Sequence, residues 1–175
     1  FRTLNNNEIR KLNDIAKKYN IKYQNKHKLD LVDEILSNVD VIPNSIVLAQ
    51  AAIESGWGKS RFAKEYNALF GEYTYDDSEG VIPLERENGD THLIKAFSSY
   101  SNSVESYFDN INSHYAYEDF RDIRNIMRKR NNFSNVNLLV NKLSTYAEDE
   151  NYIKTIRQVI KTNNFEIFDQ KTISY

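Results

Sequence analysis

The chain has 175 residues, with 23 Lys and Arg against 25 Asp and Glu, and a formal net charge of −2 at pH 7. This near-balance does not favour nucleic-acid binding, which usually needs a strongly basic surface, and any contact with an anionic polymer must be local. The length suits one domain with a real core, so we expect residues 1–175 to form a single, monomeric domain. The chain has no cysteine, which excludes disulfides and thiolate metal sites.

No apolar stretch reaches the ~20 residues that a membrane span requires. The chain begins at Phe1 rather than Met, so we expect a processed form from which an export signal or a membrane anchor is missing. The three His residues have no metal-ligand spacing, so we expect neither a metal nor another cofactor.

Apolar side chains recur at helical spacing in residues 7–19 and 28–37, which predicts two amphipathic helices. We expect this N-terminal segment, 7–37, to cover a central helix. That helix should begin at Pro43 and Asn44, because Pro suits the first turn and Asn can cap free N–H groups.

The predicted central helix, residues 44–55, is apolar on almost every side between Ile46 and Ile53, as in a helix buried within a domain. Gln50 and Glu54 break the run and lie four residues apart, on one face. Glu54 stands in the last turn before Gly56, where burial and the negative end of the helix dipole should both raise its pKa. A carboxyl protonated near neutral pH suits general-acid catalysis. The same position also fits a structural Glu satisfied by an Arg or by backbone donors.

Residues 70–97 follow a predicted short helix at 60–66 and are rich in β-formers and turn signals, which predicts a small β lobe. Residues 76–80 indicate one turn and Asn88-Gly89 a tight hairpin turn, while Pro83 argues against a central strand. The lobe carries several acids, any of which can face Glu54 across a cleft: Glu72, Asp76, Asp77, Glu79, Glu85, Glu87 and Asp90.

Helical spacing returns from residue 101 and predicts four apolar helix faces. They comprise Val104, Tyr107, Phe108 and Ile111; Phe120, Ile123, Ile126 and Met127; Val136, Leu139, Val140 and Leu143; and Tyr152, Ile153, Ile156, Val159 and Ile160. We interpret the basic cluster in residues 121–130 as a solvated face rather than a polymer-binding patch. Asn163-Asn164 should end the last helix, leaving 165–175 as an irregular or extended tail.

Two motifs carry a resemblance to a known family. The run Ala-Gln-Ala-Ala-Ile-Glu-Ser-Gly-Trp-Gly-Lys-Ser at 49–60 and Asn-Ala-Leu-Phe-Gly at 67–71 resemble the signature of glycoside hydrolase family 73 glucosaminidases, in particular the Bax-type branch. Later blocks at 98–107 and 114–118 extend the likeness over residues 29–165. The resemblance implies a mainly α (α+β), lysozyme-like fold with a small β-hairpin lobe overhanging a substrate cleft.

The resemblance also implies catalytic roles. It makes Glu54 the general acid of an enzyme that acts on the glycan strands of peptidoglycan. The second carboxylate matches Glu85 best, with Glu87 pointing to the same side of a strand. Another acid, or the substrate's own acetamido group, is a further alternative. Tyr117 matches a tyrosine near the acid, although Tyr115 stands where the family pattern has proline.

Candidate substrate contacts are Gln50, Trp57, Asn67, Phe70 and Glu87; Trp57 fits equally well a bulky plug that locks the glycine-flanked turn after the catalytic helix. We therefore expect an endo-β-N-acetylglucosaminidase of the cell envelope, whether periplasmic, membrane-anchored or secreted. The alternatives are a muramidase or lytic transglycosylase, and a non-catalytic module for wall binding or morphogenesis.

Overall fold

The computed structural model describes residues 4–83, 91–130, 135–146 and 151–171. Its helices and strands, in chain order, are α1 (Asn6–Lys18), α2 (Lys28–Asn38), α3 (Asn44–Glu54), α4 (Arg61–Tyr66), β1 (Tyr73–Thr74), β2 (Gly80–Val81), β3 (Leu93–Lys95), α5 (Tyr100–Ser113), a 3₁₀ helix (Tyr115–Tyr117), α6 (Glu118–Lys129), α7 (Val136–Val140), α8 (Tyr152–Thr162) and a second 3₁₀ helix (Phe165–Lys171). The predicted mainly α, lysozyme-like class with a small antiparallel sheet is confirmed.

The chain divides into two compact units. The first comprises Phe1–Val41 with Asp109–Ile153, and the second comprises Ile42–Phe108 with Lys154–Tyr175. The boundary therefore falls within α5, and the motifs at 49–60 and 67–71 both belong to the second unit. The single-domain organisation stays a prediction, and each unit is described by itself.

In the first unit, α1 and α2 pack through a small apolar cluster formed by Ala16, Ile21, Leu31 and Ile35. A capping box between Asn5 and Glu8 starts α1, because each side chain bonds the other's backbone N–H. Both helices lie within a residue of the predicted bounds at each end.

Two arginines of α6 form a second feature of the first unit, and they correct a prediction. Arg124 is fully buried and Arg121 nearly so, which contradicts the solvated face predicted for them. Arg124 donates to the carbonyls of Asn38 and Asp40 at 2.7 and 3.1 Å, while Arg121 donates to those of Ile111 and His114 at 3.0 and 2.8 Å. Burial lowers the pKa of the Arg121 guanidinium. The guanidinium groups thus satisfy backbone carbonyls at the ends of α2 and α5.

Another face of α6 carries an exposed apolar side chain. The prediction that Ile126 faces inward is wrong, because this side chain is exposed, as is Leu138 of α7. Together with Ile123, Met127 and Arg130 they line an apolar cavity of about 300 Å³ in the first unit. The third predicted helix is also shorter than its apolar pattern, because α7 ends at Val140 and Leu143 is buried from the turn beyond it.

In the second unit, α3 is buried along one side through Ile46, Ala49 and Ala52. The prediction of burial on every side is wrong for Leu48, which is 38% exposed. Pro43 is the N-cap residue and forms no side-chain cap hydrogen bond. Asn44 was expected to cap the helix, yet its amide instead donates to the carbonyl of Phe168 at 2.9 Å.

The C-terminal segment supplies the missing cap. Asp169 is buried, and its carboxylate accepts from the backbone N–H of Ser45 at 2.8 Å and from the Ser45 hydroxyl at 2.7 Å. The irregular or extended tail predicted from residue 165 is therefore wrong for Phe165–Lys171, which form a 3₁₀ helix on the start of α3. A carboxylate at a helix N-terminus is favoured by the helix dipole and by the free N–H groups.

The sheet has strand order β1-β3-β2 with both pairings antiparallel. Tyr73 lies opposite Ile94, and Gly80 opposite Lys95. A Cβ on Gly80 would lie 2.5 Å from that of Leu93, so the close approach of the strands requires glycine there. The predicted turn at 76–80 is present, since Asp76 accepts from the N–H and hydroxyl of Ser78, and these bonds lower the pKa of Asp76. The predicted Asn88-Gly89 turn lies outside the described residues.

Candidate active site

Glu54 is the last residue of α3 and is half-buried. The helix ends in a Schellman motif, in which the N–H of Trp57 donates to the carbonyl of Ala52 at 2.7 Å and the N–H of Gly56 to that of Ile53 at 3.2 Å. The predicted stop at Gly56 is confirmed, since its φ of 57° is left-handed. Glu54 therefore lies at the negative end of the helix dipole.

The turn behind Glu54 is unusually constrained. Gly56, Trp57 and Gly58 all adopt left-handed φ, at 57°, 59° and 70°. For Trp57, which is not glycine, this conformation costs on the order of 1 kcal/mol or more. Its side chain is 55% exposed, so the indole is only partly packed, and its roles as a plug or as a sugar contact both stay predictions. A strained backbone that presents an exposed indole beside a carboxyl is more typical of a binding site.

Ser55 holds this turn together. Its buried hydroxyl donates to the Ala51 carbonyl at 2.6 Å and accepts from the Gly58 N–H at 2.7 Å. Its carbonyl accepts from the N–H of Ser60 at 2.9 Å, and Ser60 in turn caps α4 through the N–H of Ala63. The whole segment from Glu54 to α4 is thus fixed by short-range hydrogen bonds.

One turn before Glu54, Gln50 is fully buried and accepts a hydrogen bond from the Tyr107 hydroxyl at 2.6 Å. The Tyr107 ring stacks on Phe70, with centroids 4.2 Å apart and planes inclined by 19°, and Phe70 is 3% exposed. Direct sugar contacts were expected from Gln50 and Phe70. Both side chains lie in interior packing, and their contact with a substrate stays a prediction.

The segment 67–71 connects α4 to β1 and is hydrogen-bonded to the chain between β3 and α5 and to α5 itself. Asn67 is left-handed, with φ 53°, and its amide donates to the Phe97 carbonyl at 2.9 Å. The N–H of Leu69 donates to the hydroxyl of Ser103 on α5 at 3.1 Å. The Asn67 side chain therefore has a structural bond, while its partial exposure keeps it available as a candidate contact.

The described acids of the β lobe differ in burial. Glu72 is half-buried and accepts from the Ser106 hydroxyl at 2.8 Å, and the Lys95 amine donates to the same hydroxyl at 3.4 Å. Asp76, Asp77 and Glu79 are exposed. Glu85 and Glu87, the predicted second carboxylate and its alternative, lie outside the described residues, as does Asp90.

Tyr117 belongs to the first unit, where it ends the short 3₁₀ helix and is buried. Its ring lies 6.0 Å from that of His114 and 6.2 Å from that of Tyr146. Tyr115, at the position where the family pattern has proline, is 80% exposed and rests on His114. The N–H of Ala116 donates to His114 Nδ1 at 3.2 Å, which starts this helix turn without a proline. The predicted proximity of Tyr117 to Glu54 stays a prediction.

Sequence reasoning missed three polar supports of this site, which are Tyr107, Ser103 and Asp169. The first two lay on predicted helix α5, but the partners of their hydroxyls come from segments 57 and 34 residues away. A signal for Asp169 was available in α3. The first turn of α3 contains no acid, so its free backbone N–H groups need an acceptor from another part of the chain.

Among residues 4–83, 91–130, 135–146 and 151–171, no group of three His, Cys, Asp or Glu side chains is arranged to hold a metal ion. Over the same ranges, no helix has the length and apolar character needed to cross a membrane.

The mainly α fold, with a small sheet and α3 in the same unit, is of the lysozyme-like class. The family profile named Glucosaminidase, described as mannosyl-glycoprotein endo-beta-N-acetylglucosaminidase, matches residues 29–165. The chain therefore belongs to the Glucosaminidase family, and the predicted membership is confirmed.

Curated relatives agree with this membership. The chain is 35% identical over 140 residues to protein bax of Escherichia coli strain K12, covering 80% of this chain and 49% of that protein. It is 35% identical over 92 residues to the peptidoglycan hydrolase FlgJ of the same strain, and 34% identical over 92 residues to FlgJ of Salmonella typhimurium. Each FlgJ match covers 47% of this chain and 29% of the relative. The chain thus spans about half or less of the length of these relatives.

Proposed function

We propose that this protein is a peptidoglycan hydrolase. The single observation that carries the proposal is Glu54, the last residue of α3, presented half-buried above a turn of three left-handed residues within the family motif. Membership of the Glucosaminidase family supports glycoside hydrolysis. The similarity to proteins named peptidoglycan hydrolase supports the substrate.

The bond we propose is the β-glycosidic link between GlcNAc and MurNAc, which makes the protein an endo-β-N-acetylglucosaminidase. Protonated Glu54 gives its proton to the glycosidic oxygen as the bond from that oxygen to C1 of GlcNAc breaks. The proposed step requires Glu54 to carry this proton before the bond breaks, which is the role of a general acid. Water then adds to C1 and gives a proton to a carboxylate of the site, so that Glu54 is protonated again at the end of the cycle; each cut consumes one water and releases a reducing-end GlcNAc.

Positive charge develops on the GlcNAc ring as the bond breaks, and it needs a partner. We propose Glu85 for this role, with Glu87 as the alternative carboxylate. The substrate's own acetamido oxygen can attack C1 instead, in which case a carboxylate of the β lobe only orients that group. The configuration at C1 of the product separates the two routes. Direct attack by water inverts it, whereas attack by the acetamido oxygen followed by water retains it.

The remaining predicted site residues have proposed binding roles. The exposed Trp57 indole offers a face on which a pyranose ring can pack, and Asn67 offers its partly exposed side chain at the end of α4. Gln50 and Phe70 support Glu54 from the interior. Tyr117 is proposed to orient the acetamido group through its hydroxyl.

We place this activity in the cell envelope, where peptidoglycan strands are the partner, and we expect the protein to act as a monomer. Attachment to a membrane is proposed only through an anchor outside residues 1–175.

The test is digestion of purified peptidoglycan by wild-type protein, Glu54→Gln and Glu65→Gln. Glu54→Gln keeps the shape of the side chain but cannot supply a proton as an acid, so activity should fall by at least ~100-fold. Glu65 is an exposed acid on α4, paired with Arg61 at 3.3 Å, so Glu65→Gln should digest normally. Melting temperatures of the three proteins should agree within a few degrees.

Mass spectrometry of the borohydride-reduced fragments identifies the bond. Reducing-end GlcNAc supports the proposal, whereas reducing-end MurNAc indicates a muramidase and anhydro-MurNAc a lytic transglycosylase. Equal digestion by wild type and Glu54→Gln would refute the catalytic role. Wall binding without digestion by either protein would indicate a non-catalytic module.

A further inference from the structure

Gln50 presents a buried polar group in an otherwise apolar stretch of α3. A side-chain amide is costly to bury unless hydrogen-bonded, and this one accepts from the Tyr107 hydroxyl at 2.6 Å with both residues fully buried. In such surroundings a hydrogen bond is electrostatically stronger than in water. The pair therefore fixes Gln50 in one conformation.

The position of the Tyr107 hydroxyl is fixed by the packing around its ring. Phe70 stacks on one face at 4.2 Å, and Phe108 lies edge-on at 5.9 Å and 82°. One turn earlier on α5, Ser103 accepts from the N–H of Leu69 at 3.1 Å. Residues 103 and 107 of α5 thus link the segment 67–71 to α3.

Gln50 and Glu54 are four residues apart on α3, so their side chains lie on the same face of the helix. An amide whose oxygen is occupied by Tyr107 presents its NH₂ end to other neighbours, and rotating it by 180° would break the Tyr107 bond. The orientation of the Gln50 amide on the face shared with Glu54 therefore depends on the Tyr107 hydroxyl.

We propose that Tyr107 is a positioning residue for the proposed acid Glu54, acting through the amide of Gln50. The inference rests on the proposed function, because it assigns Tyr107 to the same site. It also explains why the two sequence motifs occur together, since Phe70 of the second motif supports the tyrosine that orients Gln50 of the first.

The test compares kcat and KM on peptidoglycan for wild type, Tyr107→Phe, Gln50→Met and the double variant. Tyr107→Phe removes one hydroxyl and keeps the stacked ring. We expect kcat to fall roughly tenfold, less than the ~100-fold that a misplacement of 1 Å can cost, with KM changed less than about twofold. Gln50→Met should lose a similar factor, and adding Tyr107→Phe to it should lose nothing further.

Two controls separate positioning from stability. Ile46→Val removes one buried methyl group from α3 and should lower the melting temperature by a few degrees without changing kcat. Tyr66→Phe removes a half-buried hydroxyl from the same unit, one that accepts from Arg61 at 3.4 Å, and should also leave kcat unchanged.

A wild-type kcat in Tyr107→Phe would overturn the inference. So would a loss of kcat in the double variant equal to the product of the losses in the two single variants. A fall in kcat of the same size in Ile46→Val would indicate a stability effect and would overturn it too. Should Tyr107→Phe fold poorly, normal kcat in Gln50→Met would be decisive against it. Failure of the proposed function is distinct, because wild type and Glu54→Gln would then digest peptidoglycan equally.

Discussion

Replacing Asp169 should reveal how strongly the C-terminal segment stabilises α3. Asp169→Ala removes the acceptor for the Ser45 N–H and hydroxyl, which are bound at 2.8 and 2.7 Å. Hydrogen bonds to charged groups contribute about 1.5–3 kcal/mol each, and a carboxylate at a helix N-terminus about 0.3–1 kcal/mol more. Because the bonds share one carboxylate and water partly replaces it in the variant, we expect a net loss of about 2–4 kcal/mol.

Urea denaturation followed by far-UV circular dichroism measures this loss. For a protein of this size it corresponds to a fall in Tm of roughly 4–16 °C. Trp57, the only tryptophan of the chain, follows α3 closely and gives a second signal from the other end of the same helix. Asp169→Asn keeps the shape but places an amide donor against a donor, so it should also destabilise, by a smaller amount.

Glu166→Ala is the matched control, because Glu166 is an exposed acid in the same 3₁₀ helix. It should change stability by less than about 0.5 kcal/mol. A double-mutant cycle with Ser45→Ala should give a coupling energy of at least about 1 kcal/mol. If Asp169→Ala unfolds at the same urea concentration as wild type, or if the coupling is zero, the cap does not stabilise α3.

Two further predictions concern the first unit. Tyr117→Phe should lower kcat about tenfold or more, as expected for losing a transition-state hydrogen bond of ~1.4 kcal/mol, with Tm nearly unchanged. The control is Tyr115→Phe at an exposed position. If both variants turn over at the wild-type rate, Tyr117 is a core residue. Arg124→Met should lower the free energy of unfolding by about 3 kcal/mol or more because it leaves buried carbonyls without a donor, whereas Lys129→Met, at an exposed position of α6, should stay within about 0.5 kcal/mol in urea denaturation.

The helices were predictable because their signals are local. Apolar spacing identified α1 and α2, and Gly56 marked the end of the helix that contains Glu54. The turn at 76–80 followed from Asp and Ser side chains that bond their own backbone. In each case the deciding residues are within a few positions of one another.

The errors have long-range causes. The sequence pattern predicts a solvated Arg124 because burying its charge is costly. In the structure the guanidinium is buried and donates hydrogen bonds to carbonyl groups 84 and 86 residues earlier in the chain. Asp169 falls in a segment with no local signal for structure, and its partner Ser45 lies 124 residues away. Local sequence patterns do not contain these pairings.

The turn at Gly56–Gly58 also bears on motion. Ser55, Trp57, Gly58 and Ser60 all form hydrogen bonds inside the segment, so displacing the end of α3 by opening this turn would break several at once. For the proposed glycan strand, which has to enter and leave a site beside Glu54, we therefore expect any opening and closing in the surroundings of Glu54 rather than in the backbone of this turn.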